Sequence, residues 1–424
     1  MKIWCTVLLL LAGARMAGTQ DMEQYVARQM VPIAHIHPDS VDFSDLEALG
    51  RAIGDAKVVM LGEQDHGDAP AFVAKSRIVR YLHEKKGFNV LVMESDFWGL
   101  NYGWQQIPKD TNSIKTFLAE NIFGCWSACT ACEPLLYRYI PSTFSTEHPL
   151  QLAGMDNQVL LAYSAKYLAS TLDSVMRQLD LPMVHRPDYA ETVIPAVHKW
   201  YNIRKDTALF QPYHAIFSEI TRQLAARLGP DHLWAMTARN LVVMAEEYSG
   251  RGDYYVRNNT RDRQMAFNLD WIKKVLYPNE KIIVWAHNYH VSKYAGHYPE
   301  DFMNEARTLG EVFTNELQWA DETYILGFTS YKGTAGRLNT KPYKIDKPKK
   351  ESLENWIFQT GKPYAFVDFK AFNRENPSAE TPFYLSGGVK GNLYHGSHRA
   401  VWNKIFDGVF YLEEISPCVA RVAK

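Results

Sequence analysis

The sequence predicts an α/β fold: a central, mostly parallel sheet with helices on both sides and a large helical insertion forming a cap. Three observations lead there. Short apolar runs at Val58–Leu61, Val90–Met93 and Lys281–Ala286 each stop abruptly at polar residues. Four or five consecutive apolar residues leave no solvent face, which marks strands buried on both sides of a sheet. Between the first two runs lies a helical pattern from about Ala69 to Lys86, closed by Gly87, and a strand–helix–strand crossover joins parallel neighbours. From residue 158 to about 277 the pattern is almost wholly helical.

In chain order, residues 22–56 read as helix, with an amphipathic stretch at Asp45–Leu49 and Gly54 as terminator. Strand, helix and strand follow at 58–63, 69–86 and 90–95, and Leu150–Gly154 is a third strand candidate ending in Met155 and Asp156. Amphipathic stretches at Ala162–Met176, Ile216–Leu228, Ala235–Tyr248 and Arg261–Val275 make up the insertion. Further strands are expected at 281–287, 324–329, 365–369 and 408–412. Lys341–Lys350 reads as a solvated loop.

The chain has 424 residues, 46% hydrophobic and 22% charged, the balance of a folded globular protein. A formal net charge of −1 gives no basic footprint for nucleic acid. Residues 1–20 read as a signal peptide. Lys2 gives the positive start, Ile3–Gly13 the apolar core, and Ala12, Ala14, Ala17 and Gly18 the small cleavage residues. That core is too short to span a bilayer, and no later segment is apolar enough to do so. The expectation is an exported, periplasmic or extracellular chain in which residues 21–424 form a single domain. Cys125, Cys129, Cys132 and Cys418 remain after cleavage, with three full pairings open. Cys125, Cys129 and Cys132 stand at helical spacing, and the set reads as structural thiols or a structural disulfide rather than a metal or redox centre.

Ligands of open α/β sheets bind beyond the carboxyl ends of the strands. The three apolar runs end at Glu63 and His66, at Glu94, and at His287 and His290. These five residues therefore have one place to meet, which favours an enzyme. Histidine titrates near neutral pH and serves as a general base. Glu63 would hold it or orient a water, and Glu94, ending a buried strand, pairs with a cation or is raised in pKa. His287 and His290, three apart, share a face if a helix begins there and would stabilise an oxyanion or protonate a leaving group. Lys75 and Arg77 supply cations against these carboxylates, or form the solvent face of their helix. Arg261 and Asp262 raise a similar, weaker case. Gly-x-Ser-x-Gly, P-loop, Gly-x-Gly-x-x-Gly and His-Glu-x-x-His motifs do not occur.

With those residues in view, the chain resembles the erythromycin esterase family. The likeness rests on Leu61-Gly62-Glu63-x-x-His66-Gly67, Phe72-x-x-Lys75-x-Arg77, Gly87-Phe88, Met93-Glu94-Ser95-Asp96, Trp126, Glu133 and Gly154-x-Asp156. It continues through Arg261-Asp262-x-x-Met265-Ala266-x-Asn268, His287-Asn288-x-His290, Leu309-Gly310, Gly327-Phe328-Thr329 and Phe406-Asp407-Gly408-Val409-Phe410. The resemblance implies an α/β core with a helical lid and hydrolysis of the lactone ester of macrolide antibiotics, hence a role in antibiotic resistance. It also implies His66 as base, with Glu63, Glu94, His287 and His290 around it. Lys75 stands where some members have arginine, and Asp65 where a small residue is common.

The expected function is a water-mediated hydrolase of an ester or macrolactone, acting on a small molecule without nucleic acid or membrane and without a cofactor. The oligomeric state is left open. Two other readings compete. In one, Glu63, His66, Glu94, His287 and His290 bind a divalent metal. In the other, the chain is an exported binding protein for a bulky ligand or glycan, its cleft built from an aromatic content of 13%.

Overall fold

The structure, a computed structural model, describes residues 22–249, 254–293, 306–380, 382–387 and 395–421. The expected signal peptide lies outside the described residues. The strands are β1 (Val31–Pro32), β2 (Val58–Leu61), β3 (Phe88–Asp96), β4 (Gln151–Asp156), β5 (Lys281–Trp285), β6 (Thr323–Ala335), β7 (Tyr343–Lys344), β8 (Tyr364–Asp368), β9 (Phe383–Ser386), β10 (Ser397–Ala400) and β11 (Gly408–Ile415). The main sheet runs β1-β8-β11-β6-β2-β5-β3-β4, with β7 on β6. From β11 to β4 every pairing is parallel, while β8 and β1 add an antiparallel edge. β9 and β10 form a separate hairpin that the sequence pattern does not reveal.

The apolar runs sit at the centre for the reason their composition gives. Val58, Met60, Val90, Val92, Ile282 and Val284 enter one core, and Val59, Leu61, Leu91, Met93, Ile283 and Trp285 enter the core on the opposite face. A strand with both faces covered must be apolar at every position.

The insertion is helical in its long stretches, Ala162–Gln178, Phe210–Leu228, Leu233–Tyr248 and Tyr254–Trp271. Between Pro182 and Leu209 it breaks into short 3-10, π and α turns, where Pro182, Pro187 and Pro195 remove backbone donors. Leu168, Leu172, Leu241, Met265 and Leu269 place it on the Val58 face of the sheet, so it covers a face as well as bordering the strand ends.

Two expectations need correction. Residues 22–56 are not one helical stretch: helices Met22–Gln29 and Glu47–Ile53 flank β1, which ends in Pro32, and an irregular segment containing Pro38. The cysteines do not share a helix. The helix Gly124–Ser127 ends before Cys129, which is disulfide-bonded to Cys418, leaving Cys125 and Cys132 as thiols.

Asp96, at the end of β3, ties the insertion to the sheet. It accepts hydrogen bonds from the backbone N–H groups of Gly99 at 2.8 Å and Leu161 at 2.9 Å and from the Ser164 hydroxyl at 2.8 Å. Burial pushes its pKa up to about 6 against those donors. An acid raised in the folded state adds stability that is present below its unfolded pKa and lost as pH rises through the folded value. The amount at stake is on the order of 3 kcal/mol. The stability advantage of the wild type over Asp96→Asn should therefore be widest near pH 4 and shrink by pH 7, as read by urea unfolding. A gap that grows with pH would refute this.

Candidate active site

Adjacent strands β2, β5, β3 and β4 bring their carboxyl ends together. Beyond β2 the chain must pass close to β5. The Glu63 carbonyl accepts the Asn288 N–H at 2.8 Å, and a Cβ on Gly62 would lie 2.1 Å from Asn288 Oδ1. Glycine is needed there for close approach. The Asn288 amide in turn donates to Phe328 O and accepts from Phe328 N–H, locking β5 to β6.

Glu63 is fully buried and faces two partners. One oxygen pairs with the Lys75 ammonium, and the other lies 3.1 Å from His66 Nδ1. Lys75 is itself buried, 4.1 Å above the Trp285 ring. Burial lowers its pKa and the Glu63 carboxylate works against that. An ionised carboxylate only accepts hydrogen bonds, so pairing with Lys75 puts a proton of His66 on Nδ1, toward Glu63, and Nε2 faces Glu94. His66 keeps 15% of its side chain exposed. It packs edge-on against Trp126, 5.1 Å between ring centroids, and borders a cleft of about 610 Å³. Glu94, Trp126, Gln158, Arg261 and Arg337 line the same cleft.

Glu94 lies 3.9 Å from His66 Nε2. It accepts Arg261 Nη2 at 2.9 Å and the His287 backbone N–H at 3.1 Å, and His290 Nε2 is 3.3 Å away. Arg261 also holds Asp156, through Nη2 at 2.6 Å and Nε at 3.1 Å. Burial opposes the charge of Arg261, but Asp156 and then Glu94 outweigh it and raise its pKa. His290 Nδ1 pairs with Asp262.

The expected five residues do meet, at different depths. His66 and Glu94 border the cleft, Glu63 lies behind His66, and His287 and His290 are buried. His287 caps the short helix Asn288–Val291 through its ring, Nδ1 accepting the Tyr289 N–H at 2.9 Å. Lys75 joins the group and Arg77 does not. Arg77 grips Asp45 through both terminal nitrogens and donates to the carbonyls of His35 and Asp42, pinning the N-terminal segment to its helix. Asp156, which the sequence reading puts at a strand end but not among the site residues, joins the group through Arg261. Trp126 comes from the one-turn helix Gly124–Ser127 and Arg337 from an irregular segment, both too short for a periodic signal.

The metal reading meets an obstacle in this geometry. Among the described residues, no three His, Cys, Asp or Glu side chains converge as an ion would need. Glu63 and Glu94 face the protein's own cations, Lys75 and Arg261, instead.

The sequence model of the family described as erythromycin esterase matches residues 83–415. The chain belongs to the erythromycin esterase family. The match contains Glu94, Asp156, Arg261, Asp262, His287 and His290 and begins after Glu63, His66 and Lys75, which their geometry joins to the site. Among erythromycin esterase relatives, the Escherichia coli protein named erythromycin esterase type II is 22% identical, over 93% of this chain and 98% of that protein. YbfO of Bacillus subtilis (strain 168), whose assignment as a hydrolase is itself provisional, is 25% identical over 96% of this chain and 94% of its own. A crystal structure described as a succinoglycan biosynthesis protein has the same fold, with a TM-score of 0.72 at 19% identity, covering 95% of this chain and 98% of that one. Among the described residues, no helix is long and apolar enough to cross a membrane.

Proposed function

We propose that this chain is a hydrolase that opens an ester, cyclic or linear, by attack of water, with His66 as general base. The observation that carries the reading is the Lys75–Glu63–His66 series ending at the cleft, with Glu94 across from Nε2. A 3.9 Å separation is too long for a direct hydrogen bond, but a water about 2.8 Å from both atoms fits between them at an angle near 90°. His66 Nε2 takes a proton from that water as its oxygen bonds to the ester carbonyl carbon. The tetrahedral intermediate then collapses, the acyl C–O bond breaks, and the proton passes from His66 to the departing alkoxide. Arg261 and Arg337, both on the cleft wall, supply positive charge to the developing oxyanion. The His287 backbone N–H and the Arg261 guanidinium, set deeper, hold Glu94 in place.

Membership in the erythromycin esterase family makes a macrolactone the first substrate to try. The Cys129–Cys418 disulfide supports an oxidising compartment and hence export. Purified protein should be incubated with a panel of macrolides and simple esters and the products followed by mass. Gain of one water by a macrolide, absent with His66→Ala, is the expected result. Turnover of simple esters alone would keep the mechanism and move the substrate. Binding without turnover of anything would overturn the proposal.

A further inference from the structure

The turn from Glu63 to Ala69 carries His66 and is held mostly by groups that the chemistry above does not use. On one side its backbone is pinned by the C-terminal tail: Cys418 N–H donates to the Gly67 carbonyl at 2.8 Å and Ala69 N–H to the Ser416 carbonyl at 3.0 Å. Across the turn, a Cβ on Gly67 would come within 2.2 Å of the Gly336 carbonyl oxygen. The turn also contains two carboxylates that fold back on it. Asp65 Oδ1 accepts the His66 backbone N–H at 2.8 Å and Arg337 Nε at 2.7 Å. Asp68 Oδ2 accepts the Asp65 N–H at 3.1 Å.

Among the described residues, Asp68 has a further partner from far along the chain. His395 Nε2 lies 3.0 Å and 3.1 Å from its two carboxylate oxygens, and the Tyr343 hydroxyl lies 3.0 Å from His395 Nδ1. Asp68 is fully buried and His395 is 4% exposed. Burial opposes the charge on His395, but Asp68, helped by Asp65, outweighs it and raises the pKa.

We infer that Asp68 and His395 are positioning residues for the hydrolysis, a buried pair that fixes the turn aiming His66 into the cleft. The inference rests on His66 being the reacting base. Its physical basis is tight tolerance: a general base must sit within hydrogen-bond reach of its proton, and displacement of about 1 Å costs roughly 100-fold. His66 is two residues from Asp68, and the amide next to its own is held by the Asp68 carboxylate. Without His395, a buried carboxylate loses its cation and must turn toward another donor. The Asp65 amide then loosens, and the His66 ring moves with it. Neither residue contacts the substrate in this scheme, so transition-state geometry suffers while ground-state binding does not.

The test compares wild type, His66→Ala, His395→Ala and Asp68→Asn with 4-nitrophenyl butyrate as the ester probe. His395→Ala should lower kcat about 10- to 100-fold with KM within about twofold. Asp68→Asn, whose amide oxygen still accepts the Asp65 N–H, should keep a larger share of kcat. A reading that needs no substrate comes from the ring nitrogen shifts of His66 in 15N-edited spectra, which should change in His395→Ala. Should that variant lose its native circular dichroism, His395→Gln takes its place, keeping a donor toward Asp68 without the charge. Wild-type kcat and unchanged His66 shifts in the folded His395 variant, with His66→Ala inactive, would overturn this inference and leave the base assignment standing. A fully active His66→Ala would overturn both.

Discussion

His66→Ala should lower kcat for ester hydrolysis by about 10²- to 10⁴-fold, the range for removing a general base, while the fold stays intact. The side chain borders a cleft and is partly exposed, so its truncation opens onto the cleft and costs the edge contact with Trp126 but no inner core packing. Its Nδ1 pairs with Glu63, which keeps the Lys75 ammonium. No buried charge is left without its counter-ion, but one buried Glu63 oxygen loses its donor, so the variant should unfold about 1–3 kcal/mol more easily than the wild type. KM should change little, because the lost interaction belongs to the transition state. Steady-state kinetics beside urea unfolding checks both halves. A His66→Ala enzyme with full kcat means that another group activates the water.

Arg261→Met should act on stability and activity together. The guanidinium is buried and holds two buried carboxylates, Glu94 at 2.9 Å and Asp156 at 2.6 Å. Methionine fills much of the space but leaves both carboxylates without that cation. Removing one partner of a buried ion pair costs about 3–5 kcal/mol because the other charge stays desolvated. Glu94 would then swing toward His66 or His290 and disturb the place of the attacking water. Arg261→Lys should recover only part of the loss, since one ammonium cannot reproduce the forked contacts to two carboxylates. Chemical unfolding of the three proteins gives the answer. If Arg261→Met matched the wild type in stability, the guanidinium would contribute no net energy and its role would be confined to the cleft.

The strand ends were legible because two-sided burial forces continuous apolar runs, and the residue that stops such a run stands out. Glu63, His66, Glu94, His287 and His290 were found that way. The same logic applied to Asp156, whose strand, Gln151–Asp156, contains a glycine and begins with a polar residue, which weakened its signal. Lys75 and Arg77 were inseparable in sequence. Two residues apart on a helix lie about 200° apart, so one faces the site and the other faces the N-terminal segment, and only knowing which face meets the sheet decides between them. Arg261 opens an amphipathic stretch in the sequence and made only a weaker case there, because a cation on a helix carries no sign of which carboxylates it meets.

The sequence by itself determined the class of fold, the order along the chain of the seven longer strands of the main sheet (β2, β3, β4, β5, β6, β8 and β11), and the group of acids and histidines gathered at one sheet edge. These follow from local periodicity and from the cost of burying polar groups in a two-sided sheet. The tertiary structure decided which cation answers which carboxylate: Lys75 for Glu63, Arg261 for Glu94 and Asp156, and His395 for Asp68, 327 residues away. It also decided which cysteines join and which histidine reaches the cleft. Those choices depend on distances of a few ångströms between segments remote in sequence, where Coulomb energy and desolvation vary steeply and no local pattern records them.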